Sequence, residues 1–418
     1  MKRLLAVTSL TGLLTLLKMG AGFLVGKVVA IYVGPSGLAM LGQIQNVVAL
    51  FNGLVNSPAG AGVIRYTAQN VQHDNYLACS PWWRASMLWM IAIALVIVSL
   101  SFCFSDEISL LLFNNTEYSS IIIITASVLP LTAIGTLINS VTNGQQKYKR
   151  FISIGMVSVI IATSVMTFLI VKYNIYGGLL AVALQSGLIG LVSLIICFRL
   201  PWVRLKYWFG RTSLQHIKDI SHYMLMALTS AICLPLSLLI IRKILVHDVG
   251  WDATGQWQAV WKISEAYLGV VTLALGTYFL PKLSTLTSYS QIRTEILSTA
   301  KVILPLVALM GVTIYLLREY IVRILFTSDF TQSLNLFHLQ LTGDFIKIFA
   351  WLFAYPLLSK GKVKWYMTTE ILSSLLFISL SYFFINAYGL KGVFYAYILN
   401  YSFYVTFIIL NLKRILKD

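Results

Sequence analysis

The chain has 418 residues, of which 58% are hydrophobic and only 11% charged, and its formal net charge is +17. A soluble domain carries about 25% charged residues, so there is too little polar surface here to cover a water-soluble particle. The basic excess does not read as a nucleic-acid interface, because Lys and Arg fall in short clusters between apolar runs and not along one solvated face.

Met1-Lys2-Arg3 before an apolar run resembles a secretory signal, but Lys18 interrupts the run and no small-residue cleavage site follows. That pattern predicts a retained first helix. Apolar runs of about 20 residues span a hydrocarbon core. They predict helices near 5–33, 38–64, 85–104, 119–142, 149–171 and 177–198, then 220–246, 255–280, 300–317, 332–358, 365–385 and 392–412. Prolines inside five of these spans are tolerated where neighbouring helices satisfy the freed carbonyls. Trp82, Trp83, Trp202, Trp208 and Trp251 fall at predicted helix ends and are expected to be interfacial anchors. Cys79, Cys103, Cys197 and Cys233 have no CxxC spacing, so neither a disulfide framework nor a metal site is expected.

With twelve spans, 21 of the 31 basic residues fall on the side of the termini and six on the other, the remaining four being inside spans. This asymmetry predicts that both termini are cytoplasmic. The chain also carries an internal echo. Asn174-Ile175-Tyr176-Gly177 recurs as Asn386-Ala387-Tyr388-Gly389, and Lys147–Phe151 as Lys362–Tyr366. Gly34-Pro35-Ser36-Gly37 corresponds to Asp252-Ala253-Thr254-Gly255. An offset of six helices keeps orientation, so the expectation is two parallel six-helix repeats. The domains are then a lobe at 1–198, a cytoplasmic-side linker at 199–219 and a second lobe at 220–418.

Ionisable groups within spans are costly and therefore mark pathways or pairs. Lys18 and Lys27 lie in the first helix, nine residues and so roughly 180° apart. They can face one cavity only if the helix breaks, which Gly20, Gly22 and Gly26 would permit. Asp344 and Lys347 share a face of the tenth helix at i, i+3, as do Lys262 and Glu265 in the eighth. Each is read either as a self-neutralising pair or as a working element of the pathway. Arg242 closes the seventh helix, where anchoring is the ordinary reading. Gln43, Gln45 and Asn46 form a polar patch early in the second helix, which packing alone could explain. No Walker A loop, HExxH or GxSxG occurs, so the chain favours carriage over chemistry, with no cofactor.

Several stretches resemble bacterial Wzx-type flippases for lipid-linked oligosaccharides of the O-antigen and enterobacterial common antigen kind. They are Lys18–Lys27 running on to Gly34–Leu38, Ile241–Leu245, Gly255–Gln258, Ile263–Leu268, Tyr278–Ser284, Leu339–Asp344 and Thr369-Glu370. The resemblance implies the multidrug/oligosaccharidyl-lipid/polysaccharide exporter superfamily: an all-α integral membrane fold with two lobes forming a V around a central cavity. It implies a cargo of undecaprenyl-diphosphate oligosaccharide, turned from the inner to the outer leaflet of the bacterial inner membrane for polysaccharide or lipopolysaccharide biosynthesis. It also implies alternating access coupled to an ion gradient. Lys18, Lys27 and Arg242 would then meet the diphosphate, while Gln43, Gln45 and Asn46 would help line a cavity for sugars. Glu265 and Asp344, with Lys262 and Lys347, would carry the coupling, although Glu265 stands where the family pattern suggests Asp. Polymerase and chain-length proteins of the same pathway are the expected partners besides the membrane lipid. A drug/cation antiporter of the same superfamily fits a lysine-rich interior poorly. A membrane polymerase or ligase would need a large outer catalytic loop.

Overall fold

The computed structural model describes residues 2–70 and 76–417, and every regular element among them is helical. The side chains of Lys2, Arg3 and Lys417, counted above as topology signals, lie outside those described. In chain order the α-helices begin with α1 (Lys2–Tyr32), α2 (Gly34–Asn56), α3 (Ala61–Asn70), α4 (Tyr76–Cys103) and α5 (Ser105–Phe113). Then come α6 (Ser119–Ser127), α7 (Leu129–Gly144), α8 (Tyr148–Cys197), α9 (Leu205–Trp208) and α10 (Leu214–Ala274). The last are α11 (Leu280–Thr285), α12 (Tyr289–Leu325), α13 (Phe337–Ser359), α14 (Val363–Tyr388) and α15 (Gly392–Lys417).

Among the described residues nine helical segments are long and apolar enough to cross a membrane. Three of them, Tyr148–Cys197, Met224–Thr285 and Val363–Leu416, have 50 to 62 residues. A straight 50-residue helix would reach about 75 Å, more than twice the thickness of the hydrocarbon core. Each of the three instead reverses midway. Asn174 takes φ 51° and ψ −130° inside α8, Gly250 takes φ 83° inside α10, and Gly389 takes φ 57° after α14. Counting these reversals gives the twelve crossings expected from hydropathy.

Positive φ angles also reveal the duplication. Gly34 matches Gly250, Gln146 matches Gly361, and Asn174 matches Gly389, at offsets of 215 or 216 residues. Left-handed backbone is uncommon and is needed only where a chain turns sharply. Three such turns recurring in order at one spacing therefore support the repeat better than the residue echoes do. Two of the turns are also packed alike. A Cβ added to Gly177 would lie 2.0 Å from the Leu169 carbonyl oxygen, and one on Gly392 would lie 2.0 Å from that of Phe384.

The described chain divides into two compact units. In the first (1–32 and 40–235), α7 and α8 cross so closely that a Cβ on Gly135 would be 2.4 Å from the Gly190 Cα. Small residues that bring backbones together, with hydroxyl bonds between them, drive helix association in lipid. Here Thr132 donates to Ser186 and Asn139 to Ser193. Trp83 and Trp202 are buried in the core of this unit, where Trp83 also stacks on Trp208 at 5.2 Å. These two are core residues and not the interfacial anchors expected, because the 199–219 segment folds back over α4 and packs its Trp202 and Trp208 against Trp83.

Arg84 holds that segment. Its guanidinium donates to the carbonyls of Lys206, Tyr207 and Arg211. Thr212 donates to the Pro81 carbonyl, and Trp82 Nε1 donates to Asp219.

The second unit (33–39 and 236–418) contains a turn contributed from near the start of the chain. Ser36 Oγ donates to Asp252 at 2.6 Å, and a Cβ on Gly255 would meet the Pro35 carbonyl oxygen at 2.1 Å. The two turns that correspond in the repeat thus pack directly on one another.

Hydrogen bonds to a charged donor contribute about 1.5–3 kcal/mol each. Arg84→Ala is expected to lower the stability of the first unit by about that amount, seen as a lower thermal unfolding midpoint in detergent. Arg84→Lys should recover little of the loss, because one ammonium cannot span three carbonyls. An unchanged midpoint would mean that the tryptophan cluster alone docks the segment.

Candidate functional site

Asp344 sits fully buried on α13 within an apolar span. A carboxylate there needs donors from the protein, since lipid supplies none. Four converge on it. Ser264 Oγ and Tyr267 Oη each donate to Oδ2 at 2.7 Å, while Gln340 Nε2 and Tyr397 Oη each donate to Oδ1 at 2.9 Å. Gln340 also donates to Ser264, which ties the donors together. An ionised carboxylate is an acceptor with about four lone-pair sites, and this donor set fills them.

Local geometry explains why these residues meet. Ser264 and Tyr267 are three apart on the part of α10 after Gly250, and Gln340 precedes Asp344 by one turn of α13. Tyr397 comes from α15 and reaches Asp344 only because Gly343 has no side chain. A Cβ at that position would lie 2.3 Å from the Tyr397 ring.

Lys347, one turn further along α13 and also buried, makes no salt bridge with Asp344. Among the described residues His247 Nδ1 lies 2.6 Å from Asp248, and no salt bridge joins Lys347 to Asp344 or Lys262 to Glu265. Lys347 Nζ instead faces four aromatic rings, with centroids of Trp351 at 4.9 Å, Tyr401 at 5.4 Å, Tyr397 at 5.6 Å and Trp261 at 5.8 Å. Cation–π contacts strengthen to about 2 kcal/mol when desolvated, so a ring cage suits an ammonium out of water. Tyr397 serves both groups, giving its hydroxyl to Asp344 and its face to Lys347. The i, i+3 spacing therefore brings the two charges to one side of the helix but not to one another.

The other anticipated residues are distributed as follows. Trp261 Nε1 donates to Glu265 at 2.8 Å, and Glu265 is exposed while Lys262 is half-buried. Arg242 is 1% exposed, donates to Gln258 Oε1 and lies 5.1 Å from the Trp257 ring centroid. Since Trp257 and Trp261 are also 5.4 Å apart, an aromatic row runs in the second unit from Arg242 to the Lys347 cage. In the first unit α1 is continuous from Lys2 to Tyr32, so the break that the glycines would permit is not made. Lys18 is exposed and Lys27 half-buried, on opposite sides of that helix. Gln43 is buried, and Gln45 and Asn46 are half-buried on α2. Thus the structure joins Asp344, Lys347 and, through Trp261, Glu265, and leaves Lys18 and Lys27 apart from each other.

Sequence reading missed Ser264, Tyr267, Gln340 and Tyr397 as the donors, and Trp261, Trp351 and Tyr401 as the cage. A signal existed in Tyr397 and Tyr401 at i, i+4 and in Trp351 four residues after Lys347. Such stripes do not say which helix they will face.

The carboxylate is expected to hold α10, α13 and α15 together. Asp344→Leu should orphan four donors and destabilise the protein by about 3–5 kcal/mol, the range for stranding one side of a buried polar pairing. Asp344→Asn and Tyr397→Phe should each cost about 1–3 kcal/mol. Thermal unfolding in detergent would read the order, and equal midpoints for all three would refute it.

Comparison with known proteins places this architecture. Residues 4–287 match the family model described as polysaccharide biosynthesis protein. The lipid III flippases of Escherichia coli (strain K12) and Shigella flexneri are each 30% identical to the chain over 395 residues, covering 93% of both proteins. Among solved structures, an inward-facing multidrug resistance MATE family transporter of the MOP superfamily superposes with a TM-score of 0.75 at 16% identity. That match covers 97% of this chain and 95% of the other. The lipid II flippase MurJ in an inward closed conformation superposes with a TM-score of 0.74 at 16% identity, over 98% of this chain and 87% of the other. At such identities the two structures share the fold with this chain and carry no more than that. The chain is a multi-pass membrane protein that belongs to the polysaccharide biosynthesis protein family.

Proposed function

We propose that the protein is a flippase that moves an undecaprenyl-diphosphate-linked oligosaccharide across the bacterial inner membrane, from the inner to the outer leaflet. The observation that carries this reading is the 30% identity to lipid III flippases across 93% of both chains, far more extended than any one motif. The O-antigen and enterobacterial common antigen units are the cargo class, and both termini are cytoplasmic by the distribution of Lys and Arg. Transport proceeds by alternating access, in partnership with the polymerase and chain-length proteins of the same pathway.

In this reading the diphosphate meets cationic side chains. Lys18 is exposed and open to such a role, and Lys27 is half-buried. Arg242 donates from Nη2 to Gln258, one contact of a guanidinium that carries five N–H groups. Gln43, Gln45 and Asn46 supply amide groups for hydroxyl-rich cargo. Asp344 and Glu265, with Lys262 and Lys347, are the residues through which an ion gradient would act. Their support is the burial of two charged groups, Asp344 and Lys347, at one place in a span, which is costly without a purpose. The MATE-like fold also admits drug/cation antiport. Lys18, Lys262 and Lys347 within the spans disfavour cationic cargo through like-charge repulsion.

The test is complementation of a strain lacking its own common-antigen or O-antigen flippase, with surface glycan read by antibody and lipid-linked intermediate measured. Restored glycan with loss of the inner-leaflet intermediate is the expected result. Lys18→Ala and Arg242→Ala, stably expressed, should each lower surface glycan by about tenfold or more, the loss of a charge-assisted contact. Normal glycan in both variants would sink the diphosphate role. Failure of the wild type with the native glycan cluster supplied would sink the flippase reading itself.

A further inference from the structure

We propose that the groove between α12 and α13 binds one anionic phospholipid of the bilayer, with the headgroup against Arg318 and His338 and an acyl chain along Gly311. In α12 the apolar window is only 11% buried, so most of this helix faces outside the protein. Between it and α13 lies a cavity of about 360 Å³, lined by Val307, Gly311 and Tyr315 on one side and His338, Leu341 and Phe345 on the other. Residues 307, 311 and 315 recur every four positions and so share one face of α12. From first to last they span about 12 Å of helix, enough to seat a stretch of acyl chain.

Gly311 forms the floor. No atom lies within 4 Å of a Cβ built there, so the groove is open at this position. A glycine inside an exposed helix costs about 1 kcal/mol relative to alanine.

One end of the groove is polar and basic. The Arg318 guanidinium lies 4.2 Å over the Tyr315 ring and donates to the Tyr315 carbonyl at 2.6 Å, which holds it beside this groove-lining residue. His338 lines the groove from α13, while Arg318 and its neighbour Glu319 lie outside the lining, Arg318 reaching it through Tyr315. An apolar body with a cationic and aromatic end complements a phosphate-headed lipid.

The cargo of the proposed transport is a poor occupant. Of the α13 residues that line the groove, His338, Thr342 and Phe345 lie about 100–160° around the helix from Asp344, by its 100° step. The groove also offers no amide side chain for sugars. A lipid seated here would instead brace α13 from behind, setting the position of the helix that carries Asp344.

The test uses the full chain, reconstituted in nanodiscs with equal amounts of phosphatidylglycerol and phosphatidylcholine, then released for native mass spectrometry. The wild type is expected to retain one phosphatidylglycerol. Gly311→Phe, which fills the open groove, and Arg318→Gln, which removes the headgroup partner, should each reduce retention about tenfold. The two substitutions act at different ends of the groove, so a folding failure in one, seen by size exclusion, leaves the other decisive. Equal retention in wild type and variants, indifference to headgroup charge, or a polyprenyl diphosphate as the retained lipid would each overturn the proposal. Since no transport is measured, its failure and that of the flippase reading are distinguishable.

Discussion

Hydrocarbon offers no hydrogen bonds, and nearly every feature of this protein answers that constraint. Backbone amides are satisfied within helices, so every regular element among the described residues is helical, and three of the long segments reverse at single positive-φ residues. Side chains obey the same rule. Where Thr and Ser occur within spans, many donate to the carbonyl one turn back, as Thr125 and Thr142 do. Such bonds hide a hydroxyl at little structural cost.

Asp344 and Lys347 show how far the rule extends. A buried carboxylate and amine one turn apart would ordinarily be expected to neutralise one another. Instead, one is surrounded by hydroxyl and amide donors and the other by aromatic faces. Each group is then held by neutral dipoles and quadrupoles, with no direct contact between the two charges. The cost is rigidity at Gly343, where any larger residue would push Tyr397 off both groups.

The repeat gives this arrangement only to the second half. Its turns are shared by both halves, down to the offset of 215 or 216 residues, because turn geometry depends on local backbone alone. The corresponding crossing in the first half, α7 on α8, is closed by glycine against glycine and by hydroxyl pairs. One ancestral packing thus supports a plain interface in one unit and a charged cluster in the other.

Composition and apolar run length determined the class of protein, the number of crossings and the existence of two repeats, because each follows from the thickness of the bilayer and from local turn chemistry. The individual charges at Asp344, Lys347, Glu265 and Lys262 were legible too, since an ionisable residue in an apolar run stands out without any structure. What they touch was not. Spacing suggested two ion pairs, and the tertiary structure made neither, because α15 brings Tyr397 and Tyr401 to α13 from more than 50 residues away. Trp83 and Trp202 read as interfacial anchors in sequence, but the 199–219 segment folds back and buries its own Trp202 against Trp83. A helical stripe states which residues share a face, but only the packing of distant segments decides what that face meets.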